Sequence, residues 1–313
     1  MTPRVSVVMP VLDAEPFVRE AVESVLGQTF GDLELVAVDD GSTDGSADAL
    51  RELAARDARV RVHAQAHGGL AAALNAGLAL AAAPLVARMD ADDVALPDRL
   101  ERQVALLDAQ PDAALVAGGL VVVDEDGREL DTAIPPAAPD LLAGNPIPHP
   151  TVVFRTDAVR ALGGYRLDQA EDYDLWLRLG ERHRIAVLPE IVLRYRVHRA
   201  QFSVRRLERQ AVGALVVREA ARRRRAGGPD PLDGVARVED ARGALGIDAA
   251  EVQASLVSDA VYWATMLRRA GLADDADALL EEAASAAGAS RLRLRATVAG
   301  RLARMRLRSA GVR

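Results

Sequence analysis

No cysteine occurs in the 313-residue chain. That excludes disulfides, thiolate metal ligands and a cysteine nucleophile. Lysine is also missing: all 39 basic side chains are arginine. A Schiff-base amine and the lysine of a nucleotide-binding P-loop are therefore excluded. Aromatic residues make up 3% of the chain, so alanine, valine and leucine must carry the apolar core. Positive charge is in deficit as well. The net charge of −7 argues against nucleic acid as a partner. No apolar run reads as a membrane span. Leu70 to Ala87 is almost uncharged, but Asn75, Gly77 and Pro84 interrupt it, and alanine partitions weakly into lipid. Val5 to Leu12 is short and runs straight into Asp13 and Glu15, unlike a signal peptide. The expectation is a cytoplasmic protein.

Half of the residues are hydrophobic, and the length suits one large domain with a smaller appendage. Arg4–Val11, Leu33–Val38, Val60–Ala64 and Leu85–Met89 are short apolar runs of the kind that form buried strands. Glu15–Leu26, Gly45–Ala55 and the alanine-rich stretch from Gly69 to Ala82 lie between them and read as helices. This alternation predicts a mostly parallel sheet covered by helices on both faces. Pro97 to Ala109 predicts another helix, with Leu100, Val104 and Leu107 as its stripe. Ala114–Val123 predicts a strand, and Asp124-Glu125-Asp126-Gly127 a hairpin turn. Pro135 to Pro150 is proline-rich and irregular, a loop of the length that often binds or covers a ligand. Thr151–Arg155 reads as a strand, Thr156–Leu162 and Glu171–Glu181 as helices, and Ile185–Leu188 and Ile191–Val197 as strands around Pro189. From about Ser203 the chain becomes helical and rich in alanine and arginine. The expected division is an α/β domain over 1–202 and a helical region over 203–313.

Ligands of such sheets bind beyond the carboxyl ends of the strands. That rule gathers Pro10 to Asp13, Asp39-Asp40 and Asp90-Ala91-Asp92-Asp93 on one rim. Three carboxylates within four residues repel one another and are hard to ionise unless positive charge sits between them. A divalent cation carrying a substrate phosphate supplies that charge, and hard oxygen ligands suit magnesium or manganese. A solvated acidic turn is the alternative. Gly41-Ser42-Thr43-Asp44-Gly45 follows a strand and opens a helix, but it lacks the GxGxxG spacing of a dinucleotide site.

Four clusters together resemble family 2 glycosyltransferases of the GT-A fold. They are Ser6-Val7-Val8-Met9-Pro10, Val38-Asp39-Asp40-Gly41-Ser42-Thr43-Asp44, Ala87-Arg88-Met89-Asp90-Ala91-Asp92-Asp93 and Ala170-Glu171-Asp172-Tyr173-Asp174-Leu175-Trp176-Leu177-Arg178. The resemblance covers roughly residues 1–200 and rests on the joint order and spacing. It implies inverting transfer of a sugar from a nucleotide-diphosphate donor, a UDP-sugar first, to a hydroxyl of a saccharide or lipid-linked acceptor. The setting it implies is cell-surface polysaccharide or glycolipid assembly.

The resemblance also assigns roles. Asp40 contacts the nucleobase, where a carboxylate suits the imide N–H of uracil, and Asp39 touches the ribose or braces its turn. Pro10 and Val11 offer backbone to the base or ribose. Asp92 is the expected ligand of a manganese or magnesium ion. Asp90 reaches ribose or a coordinated water, and Arg88 pairs with the acids or with phosphate. His198 is a further metal ligand or diphosphate contact. Asp172 is the general base, with Glu171 as its fallback. His149 and Trp176 are assigned to the acceptor side. Asn75 belongs to the donor side, although Leu74 stands where many relatives carry an arginine.

The last stretch, Arg291 to Arg313, has eight arginines and no acid, with Leu294, Val298, Leu302 and Met305 at helical spacing. Contact with anionic lipid and a solvated helix packed on its neighbours are both compatible with it. Two other functions compete with transfer. A non-catalytic nucleotide-sugar binder is disfavoured by the intact Asp92 and Asp172. A nucleotidyltransferase needs a basic phosphate-gripping loop, which Pro10 to Ala14 does not offer.

Overall fold

A computed structural model describes residues 2–198 and 207–310, with side chains up to residue 305. The boundary expected at 202/203 lies outside the described residues.

Strands β1 (Val5–Val11), β2 (Leu33–Asp39), β3 (Val60–Ala64) and β4 (Leu85–Arg88) lie side by side in the order β3-β2-β1-β4, all parallel. Nearly every residue of β1, β2 and β4 is buried, which a strand achieves only when both faces of its sheet are covered. Helices α1 (Val18–Leu26) and α2 (Ser46–Arg56) cover one face, burying Val18, Val22 and Leu50 against Val7 and Leu35. Helix α3 (Leu70–Leu80) covers the other, with Leu74 and Leu78 over Val8. Gly77 allows that approach: a Cβ there would lie 2.4 Å from Val8 Cγ1.

Beyond β4 the sheet becomes mixed. The remaining strands are β5 (Val94–Ala95), β6 (Ala113–Val123), β7 (Glu129–Ala133), β8 (Val153–Arg155) and β9 (Arg184–Arg196). Strand β8 inserts antiparallel between β4 and β6, β9 runs parallel to β6, and β7 and β5 add antiparallel to β6 and β9. The expected parallel pairing thus describes the first half of the sheet. The two strands expected around Pro189 are one strand, β9. Its register against β6 shifts on both sides of Gly119, where Pro189 has no N–H to offer the ladder. The hairpin expected at Asp124 to Gly127 joins β6 to β7.

Helix α4 (Arg99–Ala109) packs under the sheet, and α5 (Thr156–Ala161) and α6 (Glu171–Gly180) follow. The later helices are α7 (Leu207–Arg225), α8 (Val238–Leu245), α9 (Ala249–Arg269), α10 (Ala273–Ala286) and α11 (Arg291–Ala310). Val212, Leu215 and Val216 of α7 and Val238 of α8 share one apolar core with Tyr173 and Trp176 of α6. Leu267, Leu280, Leu294 and Val298 of α9–α11 share another with Leu130 of β7. The apolar stripe of α11 is therefore turned inward, and Asp277 of α10 pairs with Arg268 and Arg295. Among the described residues no helix is long and apolar enough to cross a membrane.

Candidate active site

The strand ends of β1 and β2 are tied into one rim. Pro10 and Val11 pair with Val38 and Asp39, and the Asp40 N–H donates to the Val11 carbonyl (2.9 Å). The loops that follow are laced together. Asp13, at φ 48°, accepts from the Thr43 N–H (2.7 Å), and its own N–H donates to Ser42 Oγ (3.1 Å). Ala14 N–H donates to Ser46 Oγ (2.8 Å), and Glu15 N–H to Asp44 Oδ2 (3.0 Å). Asp39 Oδ1 accepts from the Ser42 N–H (3.0 Å) and braces the turn.

Asp40 is buried and engaged by its own chain. Its carboxylate accepts from Gln65 Nε2 (2.7 Å), the Gly68 N–H (2.8 Å) and the Gly69 N–H (2.9 Å), with His67 Nδ1 2.9 Å away. It anchors loop 65–69 to the end of β2. The His67 side chain, 59% exposed, is the partner most open to displacement.

Next on the rim is the acidic turn. Ligand oxygens of Asp90, Asp92 and Asp93 lie within 4.8 Å of one another. Asp92 Oδ2 is 2.9 Å from His198 Nε2, and Asp90 pairs with Arg88. Asp93 is buried. Its Oδ1 accepts from the Arg196 N–H (2.9 Å), and its Oδ2 has no partner. Burial and the charge of Asp92 push the Asp90 carboxyl up to about 6, although Arg88 opposes the shift. Burial and both neighbouring acids hold Asp93 well above the usual carboxylate range. Such a turn is short of positive charge, and its orphaned oxygen and hard donor set fit a divalent cation.

The Glu171-Asp172 pair lies at the start of α6, where the charge of Arg88 reaches it. Ala170, which precedes them, sits at φ 53°, a left-handed conformation that costs a residue with a Cβ. Asp172 Oδ1 accepts from the Tyr173 N–H (2.7 Å) and Oδ2 from Asn145 Nδ2 (3.2 Å). Burial raises Asp172, and the adjacent Glu171 adds to it. Burial likewise raises Glu171. His149 Nδ1 is 3.5 Å from Glu171 Oε1, and Nε2 is 3.1 Å from Tyr165 Oη. Burial and the charge of Arg88 hold the imidazole well below its ordinary value, so it stays neutral.

Arg88 joins the two acidic groups. It is buried, and its positive charge acts on Asp90, Asp93, Glu171, Asp172 and His149. Burial opposes its own protonation, but Asp90 overcomes this and raises it.

Two sequence assignments change in character. Asn75 uses its amide on Tyr165, donating to the carbonyl (2.6 Å) and accepting from the N–H (3.0 Å). That makes it a strut under the Tyr165 segment. Trp176 is fully buried with its ring edge-on to His149 at 5.6 Å, so it backs His149 instead of presenting a surface to an acceptor.

Sequence reasoning missed four further residues. Arg99 is a buried guanidinium that donates to the carbonyls of Arg88 (2.8 Å) and Val152 (3.3 Å) and to Gln103 (3.1 Å). Burial, then the charge of Arg88, bring it down to about 9. Arg196 holds the Asp92 carbonyl (2.9 Å) and Glu20 (2.6 Å). Tyr165 meets His149, and Asn145 meets Asp172. An arginine beside the apolar stripe of α4, with Gln103 one turn on, was the visible signal for the first. The others depend on contacts between distant segments.

Residues 6–158 match the model of the family described as glycosyl transferase family 2. Bacillus subtilis (strain 168) EpsE is 35% identical over 71% of this chain and 83% of its own length. The amylovoran biosynthesis glycosyltransferase AmsE of Erwinia amylovora is 36% identical over 57% of this chain and 70% of its own. The O-antigen biosynthesis glycosyltransferase WbnJ of Escherichia coli is 34% identical over 62% and 80%. Among solved structures, the mannosyltransferase PcManGT of Pyrobaculum calidifontis, in complex with GDP-Man and Mn2+, superposes with a TM-score of 0.58 at 23% identity, over 96% of this chain and 80% of that one. S. aureus TarS 1–349 in complex with UDP-GlcNAc gives 0.57 at 17% identity, over 92% and 93%.

Proposed function

The chain belongs to glycosyl transferase family 2, and from that premise we propose that it transfers a sugar with inversion from a nucleotide-diphosphate donor to a hydroxyl of a saccharide or lipid-linked acceptor in polysaccharide biosynthesis. One observation carries the reading: buried Arg88 links an acidic turn suited to a cation with a carboxylate pair suited to proton transfer.

The donor lies along the rim. Pro10, Val11 and Asp39 line the nucleoside, and Asp40 takes the base imide in place of the His67 ring. A UDP-sugar is the first donor to test, because a carboxylate accepts from the uracil N–H. Asp92 and His198 would hold a manganese or magnesium ion, with Asp90 and Asp93 on the same turn. When bound, the ion neutralises charge on the leaving diphosphate. Arg88 keeps Asp90 turned toward the donor.

Asp172 takes the proton of the acceptor hydroxyl as that oxygen bonds to the anomeric carbon. The diphosphate leaves from the opposite face, so a single displacement inverts the configuration. A carboxylate whose pKa is raised by burial is a better base than a solvated one. Glu171, next to a neutral His149, is the fallback base. His149 and Tyr165 border the acceptor side. Contact of the arginine-rich end with anionic lipid belongs to the proposal for a lipid-linked acceptor. It would act through exposed Arg293 and Arg304, since Leu294 and Val298 are covered.

The test is a donor panel (UDP-glucose, UDP-N-acetylglucosamine, GDP-mannose) scored for nucleotide diphosphate release with and without manganese or magnesium. Release that requires the ion supports the reading. No release from any donor with either ion defeats it.

A further inference from the structure

Segment 134–148 is a strap held down at several points. Leu141 and Ile147 are its buried anchors. Tyr173 Oη on α6 donates to the Leu141 carbonyl (2.5 Å), and an Arg218 nitrogen on α7 donates to the Ala143 carbonyl (3.0 Å). Asn145 lies exposed between the anchors, and its Oδ1 accepts from the Ile147 N–H (3.2 Å). That bond turns the amide so that Nδ2 donates to Asp172 Oδ2 at 3.2 Å.

We propose that Asn145 is a positioning residue for Asp172, fixing the carboxylate so that the acceptor hydroxyl meets it in one orientation. The inference rests on the reading of Asp172 as the base. Each carboxylate oxygen then carries one fixed donor, the Tyr173 N–H on Oδ1 and Asn145 Nδ2 on Oδ2. Each keeps room for one further hydrogen bond, because an ionised carboxylate accepts about four in all. A free aspartate end would instead rotate about its last torsion, a broad and shallow one. A misaligned base loses rate even when the fold is unchanged. Because Arg218 holds the strap, the later helices also help to set the geometry at the base.

The hydrogen bond also favours the ionised carboxylate, which gives a readout that packing alone would not move. The charged and titratable groups facing Asp172 are Glu171 and Tyr173 on its own helix, His149, Tyr165, and Arg88 at the end of β4. None of them is altered by substituting Asn145.

The experiment uses the full chain labelled with carbon-13 at aspartate Cγ. The Asp172 resonance is identified by its loss in Asp172→Asn, and its titration is followed in Asn145→Ala and Asn145→Asp. Removing the donor should raise the midpoint by about half to one pH unit in Asn145→Ala, and further in Asn145→Asp, where a like charge is added. Release of nucleotide diphosphate from the donor that the wild-type chain uses should fall about tenfold in kcat, with KM for the donor unchanged. Asn145→Asp is isosteric and keeps the strap filled, but its added charge beside Asp172 should lower Tm at pH 7 and not in acid, whereas the exposure of Asn145 predicts a nearly unchanged Tm for Asn145→Ala. An unmoved midpoint and unchanged kcat, with Asp172→Asn inactive, overturn this inference alone. Full turnover by Asp172→Asn overturns the base reading and this inference with it.

Discussion

Asp172 and Asp92 have different duties in the proposed reaction, and substitution should separate them. Asp172→Asn keeps the shape and removes the base. The expected result is a loss of turnover of about 10²–10⁴-fold, the usual worth of general base catalysis, with donor affinity by calorimetry unchanged. Asp92→Ala should instead weaken binding of donor together with manganese. The raised carboxyls of Asp90 and Asp93 also have a thermodynamic consequence. Crowded acids oppose folding at neutral pH, and a cation that binds only the folded chain relieves them. Manganese should therefore raise Tm in the wild-type chain and do so less in Asp92→Ala; equal shifts would remove Asp92 from the ion site.

Among the elements, the first half of the fold was readable because its strands are short apolar runs that alternate with helical stretches. Leu33–Val38 and Leu85–Met89 needed only composition to be recognised, and the polar residues at their ends formed the rim. The mixed half was not readable, because strand direction depends on which distant strand is the neighbour. Nothing local in Val153–Arg155 says that it pairs antiparallel with β4, and Val94–Ala95 is too short to give a pattern. The same limit applies to the site: the clusters of acids were legible, whereas Asn145 on Asp172 and Tyr165 on Asn75 bridge segments far apart in sequence. Two predictions belong to the elements. Gly77→Ala improves helix propensity but drives a methyl into Val8, so urea unfolding should show a net loss of about 1–3 kcal/mol. Glu34 links three neighbouring segments, accepting from Ser6 Oγ (2.6 Å), the Ala82 N–H (2.9 Å) and Arg61 (2.8 Å). Burial would raise its carboxyl, but these bonds and the charge of Arg61 hold it below the usual value. A depressed folded-state pKa gives stability above the unfolded value that is lost as pH falls through the folded one. Glu34→Gln should thus be less stable than wild type at pH 7, with the difference closing in acid.

For the whole molecule, the later helices complete the cores that the α/β half begins. Val212 and Leu215 cover α6 behind the carboxylate pair, and Gly213 packs so closely on Ala170 that a Cβ there would lie 3.1 Å from the alanine's own. Arg209 and the Val238 N–H hold Asp168, just upstream of Glu171 (2.5 and 3.2 Å). Such sharing of cores predicts one cooperative unfolding transition in calorimetry for the full chain, and two well-separated transitions would contradict it. The central claim concerns the chemistry at Asp172, and proton NMR of the sugar formed in the first minutes of turnover tests it most directly. From an α-linked donor such as UDP-glucose, single displacement with Asp172 as base predicts the β-anomer, whether the acceptor is a saccharide or water. Initial formation of the α-anomer would contradict the account.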